Sequence, residues 1–386
     1  MKVLVAHNGY SSARPSGENR AVANEIDLLR EYGAVVKVLQ PSSDAIGRRL
    51  GATLAAPFGP IHSTLGARLL KNALTEFCPD VVHLHNPFPL IGPSGISLPR
   101  AAGIPVVHSL HNYRMECVSG DFFRADEPCY LCAERGSHWP AIRHGCYRNS
   151  RIQTIPMAVS LAHRSSTWRD ADLFLTLTDA MSARLERLQI PADRIRRRPQ
   201  LGPDVDARTV PESNDVLFLG RLSQEKGVDV LLRSWLLADT SPGRSLVIAG
   251  DGPLRSQVER VAADESSVRY AGYLDRPAIA RELKACGLVV VPSLWPEGYP
   301  MAIVEARAAG RAVLCSTAVS ASSEITVGDG WVADPTDRSL AQALAEASTT
   351  ECVRRGGGGR RRYDAEHCPS AVAKFLLATY TELVWG

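Results

Sequence analysis

Short apolar runs alternate along this chain with longer stretches whose apolar residues recur every three or four positions. That alternation predicts parallel sheets covered by helices. Lys2–Ala6 reads as the first strand, and after a polar loop Val22, Ile26 and Leu29 repeat at helical spacing until Gly33 offers a place to leave the helix. Val35–Leu39, Val81–Leu84, Val106–Leu110 and Leu173–Leu177 read as further strands. Pro199 to Pro211 is polar and proline-containing, which marks a linker. Beyond it the scheme repeats, with strands at Val216–Leu219, Leu246–Ala249, Val268–Tyr270 and Leu288–Pro292. Helices are expected between them, over Gly227–Leu237, from about Leu254, and around Ile279–Lys284. Two doubly wound α/β domains follow, which suits a chain of 386 residues. Ala371–Trp385 carries a last helical pattern through Val372, Phe375, Leu376, Tyr380 and Leu383. The run Arg354–Arg362, RRGGGGRRR, reads as a flexible surface turn in preference to an RNA-binding segment.

With 45% hydrophobic and 22% charged residues the composition is that of a globular protein. No apolar run approaches the roughly 18 residues that span a bilayer. The N-terminus enters a strand-like run with no signal-peptide pattern, so a cytoplasmic location and reduced cysteines are expected. The net charge of +3 conceals an asymmetry: residues 1–205 hold 24 Lys and Arg against 18 Asp and Glu, the remainder 20 against 23. A mildly basic first half suits anionic lipid at a membrane face, a phosphorylated acceptor or donor phosphates, or is a solvated surface. The absence of a basic, aromatic stripe argues against nucleic acid.

The most informative segment joins an apolar strand to a helix. After Gly287–Pro292 the chain breaks at a Pro/Gly-rich turn carrying Glu297, and a helical pattern begins near Pro300, a residue suited to a helix start. Glu297 therefore lies at the C-terminal end of a strand, and Glu305 on the first turns of the next helix. Ligands bind in that crevice of open α/β sheets, and the free N–H groups of a helix start favour phosphate. Carboxylates on either side of a phosphate site suit hydroxyl recognition, as a nucleotide-sugar requires. Upstream, Gly220-Arg221-Leu222-Ser223-Gln224-Glu225-Lys226-Gly227 places two cations on a strand-to-helix loop, and a pyrophosphate suits both. Ala249-Gly250-Asp251-Gly252-Pro253-Leu254 is a glycine-rich turn where backbone can approach a planar base, or simply a strand-to-helix turn.

These three motifs, in this order at the ends of successive strands, resemble the retaining GT-B-type glycosyltransferases with an E-x7-E signature (family 4, group 1). The resemblance covers almost the whole chain and is strongest over residues 215–317. It implies two Rossmann-like domains facing a central cleft that closes over the donor. The domains would be residues 1–203 on the acceptor side and 204–365 on the nucleotide-sugar side, with 366–386 crossing back as a helix onto the first. It implies that Arg221 and Lys226 bind the donor diphosphate and stabilise the leaving nucleotide in place of a metal. Gly220 belongs to the same loop; Glu305 would hold the ribose, Glu297 the transferred sugar. Gly298, Tyr299, Pro300 and Met301 line the phosphate with backbone, and Gly252 and Leu254 meet the nucleotide. In the first domain His111 matches the active-site histidine, His85 being a weaker candidate. Ser16-Gly17-Glu18 matches the glycine-rich loop after the first strand, with close approach assured only at Gly17.

The resemblance implies a retaining, metal-independent transfer to a hydroxyl of a glycan, a lipid-linked sugar or a secondary metabolite. On family frequency a UDP-sugar is the first donor expected and a GDP-sugar the second. A glycoside hydrolase would also pair carboxylates, but has no need of a phosphate loop. A non-catalytic nucleotide-sugar-binding protein is the other alternative; a phosphorylase would bring a pyridoxal-lysine motif that is missing here. Cys117, Cys129, Cys132 and Cys146, within an insert at about 115–150, form C-x11-C-x2-C-x13-C. That spacing fits a structural zinc or four reduced cysteines. A subset of the resembled family carries a similar insert.

Overall fold

A computed structural model describes residues 1–9, 17–42, 60–61, 63–163, 165–203, 210–239 and 243–386. The chain divides into two units: Met1–Phe122, Cys129–Arg198 and Ala373–Gly386 form the first, Phe123–Pro128 and Pro199–Val372 the second. Ser16 and the central part of the expected linker lie outside the described residues.

The strands in chain order are β1 (Lys2–Ala6), β2 (Val35–Leu39), β3 (Val81–Leu84), β4 (Val106–Ser109), the two halves of a small antiparallel hairpin, β5 (Phe123–Arg124) and β6 (Glu127–Pro128), then β7 (Leu173–Thr176) and β8 (Ile195–Arg197). Six of them build the first sheet in the order β2-β1-β3-β4-β7-β8, every neighbour parallel. β3, β4 and β7 are buried at every position, which explains their nearly continuous apolar runs. The helix Gly17–Glu31 covers the sheet with Val22, Ile26, Leu28 and Leu29, and also buries a carboxylate, Glu25. The last helix, Pro369–Trp385, belongs to the first unit from Ala373 onward. There the Tyr380 hydroxyl meets His83 Nδ1 at 2.7 Å, and Arg196 pairs with Glu382 at 3.0 Å.

The second sheet comprises β9 (Val216–Leu219), β10 (Leu246–Ala249), β11 (Val268–Gly272), β12 (Leu288–Val291), β13 (Ala312–Ser316) and β14 (Gly330–Ala333), in the order β11-β10-β9-β12-β13-β14. All neighbours are again parallel. Its core gathers Phe218, Leu222, Leu231, Trp235, Ile248 and Leu314. The fold is thus two Rossmann-like α/β units.

The hairpin strands β5 and β6, and β8, β13 and β14, go beyond the strands read from the sequence. β8 is a three-residue edge strand with two arginines, and β14 opens on glycine, so neither displays a strand pattern. β13 follows the helix Met301–Ala308 after a single tight turn, and its apolar run merges with that of the helix.

The expectation of a flexible turn at Arg354–Arg362 is wrong: the run is the C-terminal part of a helix, Thr349–Arg362. Glycine is a poor helix former, but here backbone packs against the helix where no side chain fits. A Cβ on Gly356 would lie 2.2 Å from the Gly310 carbonyl oxygen, and one on Gly358 would lie 1.9 Å from that of Gly328. Gly357, between them, has only the Arg361 guanidinium within reach, at 3.8 Å. Adjacent substitutions should therefore have opposite signs. Gly357→Ala is expected to stabilise the protein by up to about 1 kcal/mol, the intrinsic helix preference. Gly358→Ala should destabilise it, because the oxygen it meets is backbone. Urea midpoints of the two variants against wild type check this; a stabilised Gly358→Ala would contradict the packing explanation.

Candidate functional site

In the second sheet β9, β10 and β11 wind to one side and β12, β13 and β14 to the other. The C-terminal ends of β9 and β12 therefore flank a topological switch point, where open α/β sheets place their ligands. The loop after β9 carries Gly220, Arg221 and Lys226, and the loop after β12 carries Glu297. Lys226 Nζ is ion-paired with Glu297 Oε1, and Ser293 Oγ donates to Glu297 Oε2 at 2.9 Å. The two charged side chains retain 23% and 15% of their exposure, so the pair is screened from bulk water yet reachable from the crevice. Nζ also lies 5.7 Å from the centre of the Trp295 ring. Arg221 stands exposed at the head of the β9 loop.

Glycines let these loops approach one another. Gly227 sits at φ 68°, and a Cβ there would lie 2.1 Å from the Pro292 carbonyl oxygen at the end of β12. A Cβ on Gly252 would lie 2.4 Å from the Leu222 oxygen. The Leu222 N–H donates to the Asp251 carbonyl at 3.0 Å, and the Leu254 N–H to the Leu222 carbonyl at 2.9 Å. The glycine at 252 is thus explained by the protein's own backbone, and half-buried Leu254 packs against the core.

Pro300 caps the helix Met301–Ala308, and Glu305 is half-buried in its second turn. The N–H groups of Gly298, Tyr299 and Met301 find no acceptor among the described residues. The phenol of Tyr299 is not available at the loop surface. It is buried with its hydroxyl bonded to Arg307 and 3.3 Å from His367 Nε2, and burial raises it above the usual phenol range. Arg307 is completely buried and grips Asp329 at 2.6 Å. Two residues of this site escaped the sequence reading, Ser293 and Trp295. Their signal was position, since both lie between the end of an apolar strand and Glu297.

In the first sheet the switch point lies between β1 and β3. Here an open cleft of about 380 Å³ is lined by, among others, Glu18, His85, Asn86, His108, His111 and Asn112. Gly17 begins the helix Gly17–Glu31 with nothing within 4 Å of where its Cβ would be. Behind the cleft lies a polar cluster of which sequence reasoning named only His85 and His111. Glu25 Oε2 pairs with Arg198 at 2.6 Å, and Glu25 Oε1 lies 3.2 Å from His83 Nδ1 and 3.3 Å from His85 Nε2. His83 Nε2 meets Ser109 Oγ at 2.7 Å, and Arg198 donates to the same oxygen at 3.3 Å. His85 Nδ1 in turn meets His111 Nε2 at 2.9 Å. Burial alone would raise Glu25, but Arg198, His85 and His83 overturn that and hold it well below the usual carboxylate range. Burial, then the charge of His83, lowers His85 to about 3. Glu25, His83 and His85 converge within 4.8 Å in the manner of a cation site, but the Arg198 guanidinium already supplies positive charge there. The signal was an acid on the apolar stripe of a helix and a His-x-His pair ending a buried strand.

The four cysteines of the insert form no disulfide, and each is half-buried. Burial raises Cys132, and neighbouring Cys117 and Cys129 add to the effect. Zinc with four thiolates needs Zn–S distances of about 2.3 Å, hence closely gathered sulfurs. No three of these sulfurs lie within 4.8 Å of one another, so the thiols as placed do not form such a set.

Comparison with known proteins follows both halves of this architecture. A family model described as glycosyl transferases group 1 matches residues 213–350, and one described as a glycosyl transferase 4-like domain matches residues 16–200. The phosphatidyl-myo-inositol mannosyltransferase of Mycobacterium tuberculosis is 31% identical over 412 aligned positions, covering 96% of this chain and 94% of that protein. The chain belongs to the group 1 glycosyltransferase family. A second member, D-inositol 3-phosphate glycosyltransferase 1 of Catenulispora acidiphila, is 28% identical over 272 residues, 64% of this chain. The chain spans only 58% of that relative's length. Among solved structures, HepE of Anabaena in complex with UDP superposes with a TM-score of 0.68 over 99% of this chain and 100% of that one, at 18% identity. That likeness establishes the GT-B-type fold of this family member. Among the described residues no helix is long and apolar enough to cross a membrane.

Proposed function

We propose that this protein transfers a sugar from a nucleotide diphosphate to an acceptor hydroxyl, with retention at the anomeric carbon and without a catalytic metal. The observation that carries the reading is the Lys226–Glu297 pair at the β9/β12 switch point, beside exposed Arg221 and the start of the helix Met301–Ala308. A departing diphosphate develops charge that Lys226 and the N–H groups of Gly298, Tyr299 and Met301 stabilise in place, which is electrostatic catalysis by fixed groups, and Arg221 closes on it from the loop. On the front face, a phosphate oxygen of the leaving group takes the proton of the acceptor hydroxyl. Glu297 accepts from hydroxyls of the transferred sugar and Glu305 from the ribose, and His111 keeps the catalytic role that the family resemblance implies.

The domain limits of this reading are 1–203, 204–365 and 366–386, and its setting is the cytoplasm or the inner face of the membrane. A uridine diphosphate sugar is the first donor proposed, in line with the UDP in the Anabaena complex; a guanosine diphosphate sugar is second, in line with a mycobacterial relative named as GDP-mannose-dependent. Relatives named for phosphatidyl-myo-inositol and inositol 3-phosphate favour an acceptor with an anionic group. Thermal-shift screening of UDP, GDP and their sugars tests the donor. A cognate ligand at a hundredfold its Kd adds about 2.7 kcal/mol to the native state, a shift of several degrees. No shift with any of them would overturn the proposal, and release of free sugar from glycosides that lack a nucleotide would overturn it in favour of a hydrolase.

A further inference from the structure

A single line of contacts runs from the core of the first unit to its cleft: Arg198, Glu25, His85, His111. We infer that Glu25 and His85 are positioning residues that lock His111 in the tautomer bearing hydrogen on Nε2, so that its Nδ1 lone pair is offered to a substrate hydroxyl. The inference rests on the reading of His111 as a residue of the reaction centre.

The chain of reasoning starts at the buried end. Glu25 and Arg198 are each about 3% exposed and 2.6 Å apart, so Glu25 is held as a carboxylate and can only accept. His85 Nε2 has no other polar partner and lies 3.3 Å from Glu25 Oε1, which is also 3.2 Å from His83 Nδ1. A ring lone pair directed at a carboxylate oxygen would be repelled, so His85 carries its hydrogen on Nε2. Its surroundings are buried and include a fixed guanidinium, so the ring holds one hydrogen and not two. His85 Nδ1 is then an acceptor. The group it accepts from, 2.9 Å away, is His111 Nε2. The two rings also stack, with centroids 5.2 Å apart and planes 22° from parallel, which limits rotation of either. Nε2 of His111 therefore carries the hydrogen, and Nδ1 is bare. No described residue hydrogen-bonds that atom, and His111 lines the cleft with Glu18, Asn86 and Asn112.

A histidine at a sugar-transfer site has two possible uses. As an imidazolium or an Nδ1–H donor it would bind phosphate; as a bare Nδ1 it accepts from a hydroxyl and is indifferent to anions. The relay selects the second use. It does so without placing a charge in the cleft, because the carboxylate is two residues removed and neutralised by Arg198. The partner of His111 is therefore a neutral hydroxyl of sugar or acceptor.

Nitrogen-15 spectra of the histidine rings of the full-length protein at neutral pH read the tautomer directly, with His111 assigned by its absence from a His111→Gln spectrum. A protonated Nε2 and a bare Nδ1 are expected. An Nδ1–H tautomer or an imidazolium overturns the inference, whether or not any variant folds. In His85→Leu the acceptor is gone: the His111 signals should change to a mixture of tautomers, and kcat should fall about 10- to 100-fold, as for other residues that orient a site group. The Kd of the bare nucleotide diphosphate should change by no more than about twofold, since the relay acts on a sugar or acceptor hydroxyl and not on phosphate. An unchanged tautomer in His85→Leu also counts against the relay. A His111→Ala variant with full activity would instead remove His111 from the reaction centre while leaving the tautomer result standing, so the two failures are distinguishable.

Discussion

Replacing Lys226 by alanine is expected to lower kcat for sugar transfer about 10²- to 10³-fold, the usual cost of losing one group that stabilises developing charge. The reason is geometric. Lys226 is the cation of the β9 loop already drawn into the switch-point crevice, held by Glu297 and stacked near Trp295, and it is immobilised before any ligand arrives. A preorganised charge costs no rearrangement at the moment of bond breaking, whereas exposed Arg221 must be ordered first. Glu297→Ala should fall by a similar factor, because it removes the proposed sugar contact and releases the lysine at once. Lys226→Arg should recover little, since a planar fork does not reproduce a point charge in a space shaped for an ammonium. Initial rates at saturating donor, with circular dichroism to verify the fold, measure all three. If Lys226→Ala and Glu297→Ala both turned over near the wild-type rate, the assignment of this crevice would be wrong.

Asp329→Ala is expected to cost about 3–5 kcal/mol of stability, because it leaves a fully buried guanidinium without its counter-charge. Asp329 accepts from Arg307 through two nitrogens, at 2.6 and 3.1 Å, and also from the Thr326 backbone at 2.7 Å. Arg307 in turn bonds the Tyr299 hydroxyl and the Glu324 carbonyl, so its stranded charge disturbs several segments. Tyr299 lies between Glu297 and Glu305, and loosening it should weaken donor binding as well. The double replacement Arg307→Met with Asp329→Leu should be more stable than Asp329→Ala alone, since neither buried charge remains. Urea unfolding of the three proteins measures this. A double variant no better than the single would show that the ion pair is not the source of the loss.

How much of this was legible in the sequence depended on how far each signal was local. Strands buried on both faces announce themselves as apolar runs, and every strand so read is present. The switch-point loops were equally legible, because Arg221, Lys226 and Glu297 stand next to glycine and proline at strand ends. What could not be read depends on contacts distant in sequence. Gly356 and Gly358 look like a flexible surface turn until the carbonyls of Gly310 and Gly328 are seen to occupy the space their side chains would need. Glu25 looks like a surface acid on a helix until Arg198, far along the chain, is placed beside it. The Gly252 turn was legible as a turn, yet its glycine answers to Leu222 as well as to any nucleotide.

The Lys226–Glu297 pair has one more consequence, for selectivity. A lysine awaiting phosphate in the open would attract any anion in the cell, from inorganic phosphate to citrate. Here it is matched in advance by a carboxylate, and an anion that displaces Glu297 leaves that carboxylate stranded in a poorly hydrated crevice. Only a molecule presenting negative oxygens to the amine and hydroxyls to the acid, together, satisfies both partners. On the proposed function the crevice would work as a two-key lock, which predicts that an intact nucleotide-sugar outcompetes the bare diphosphate it contains.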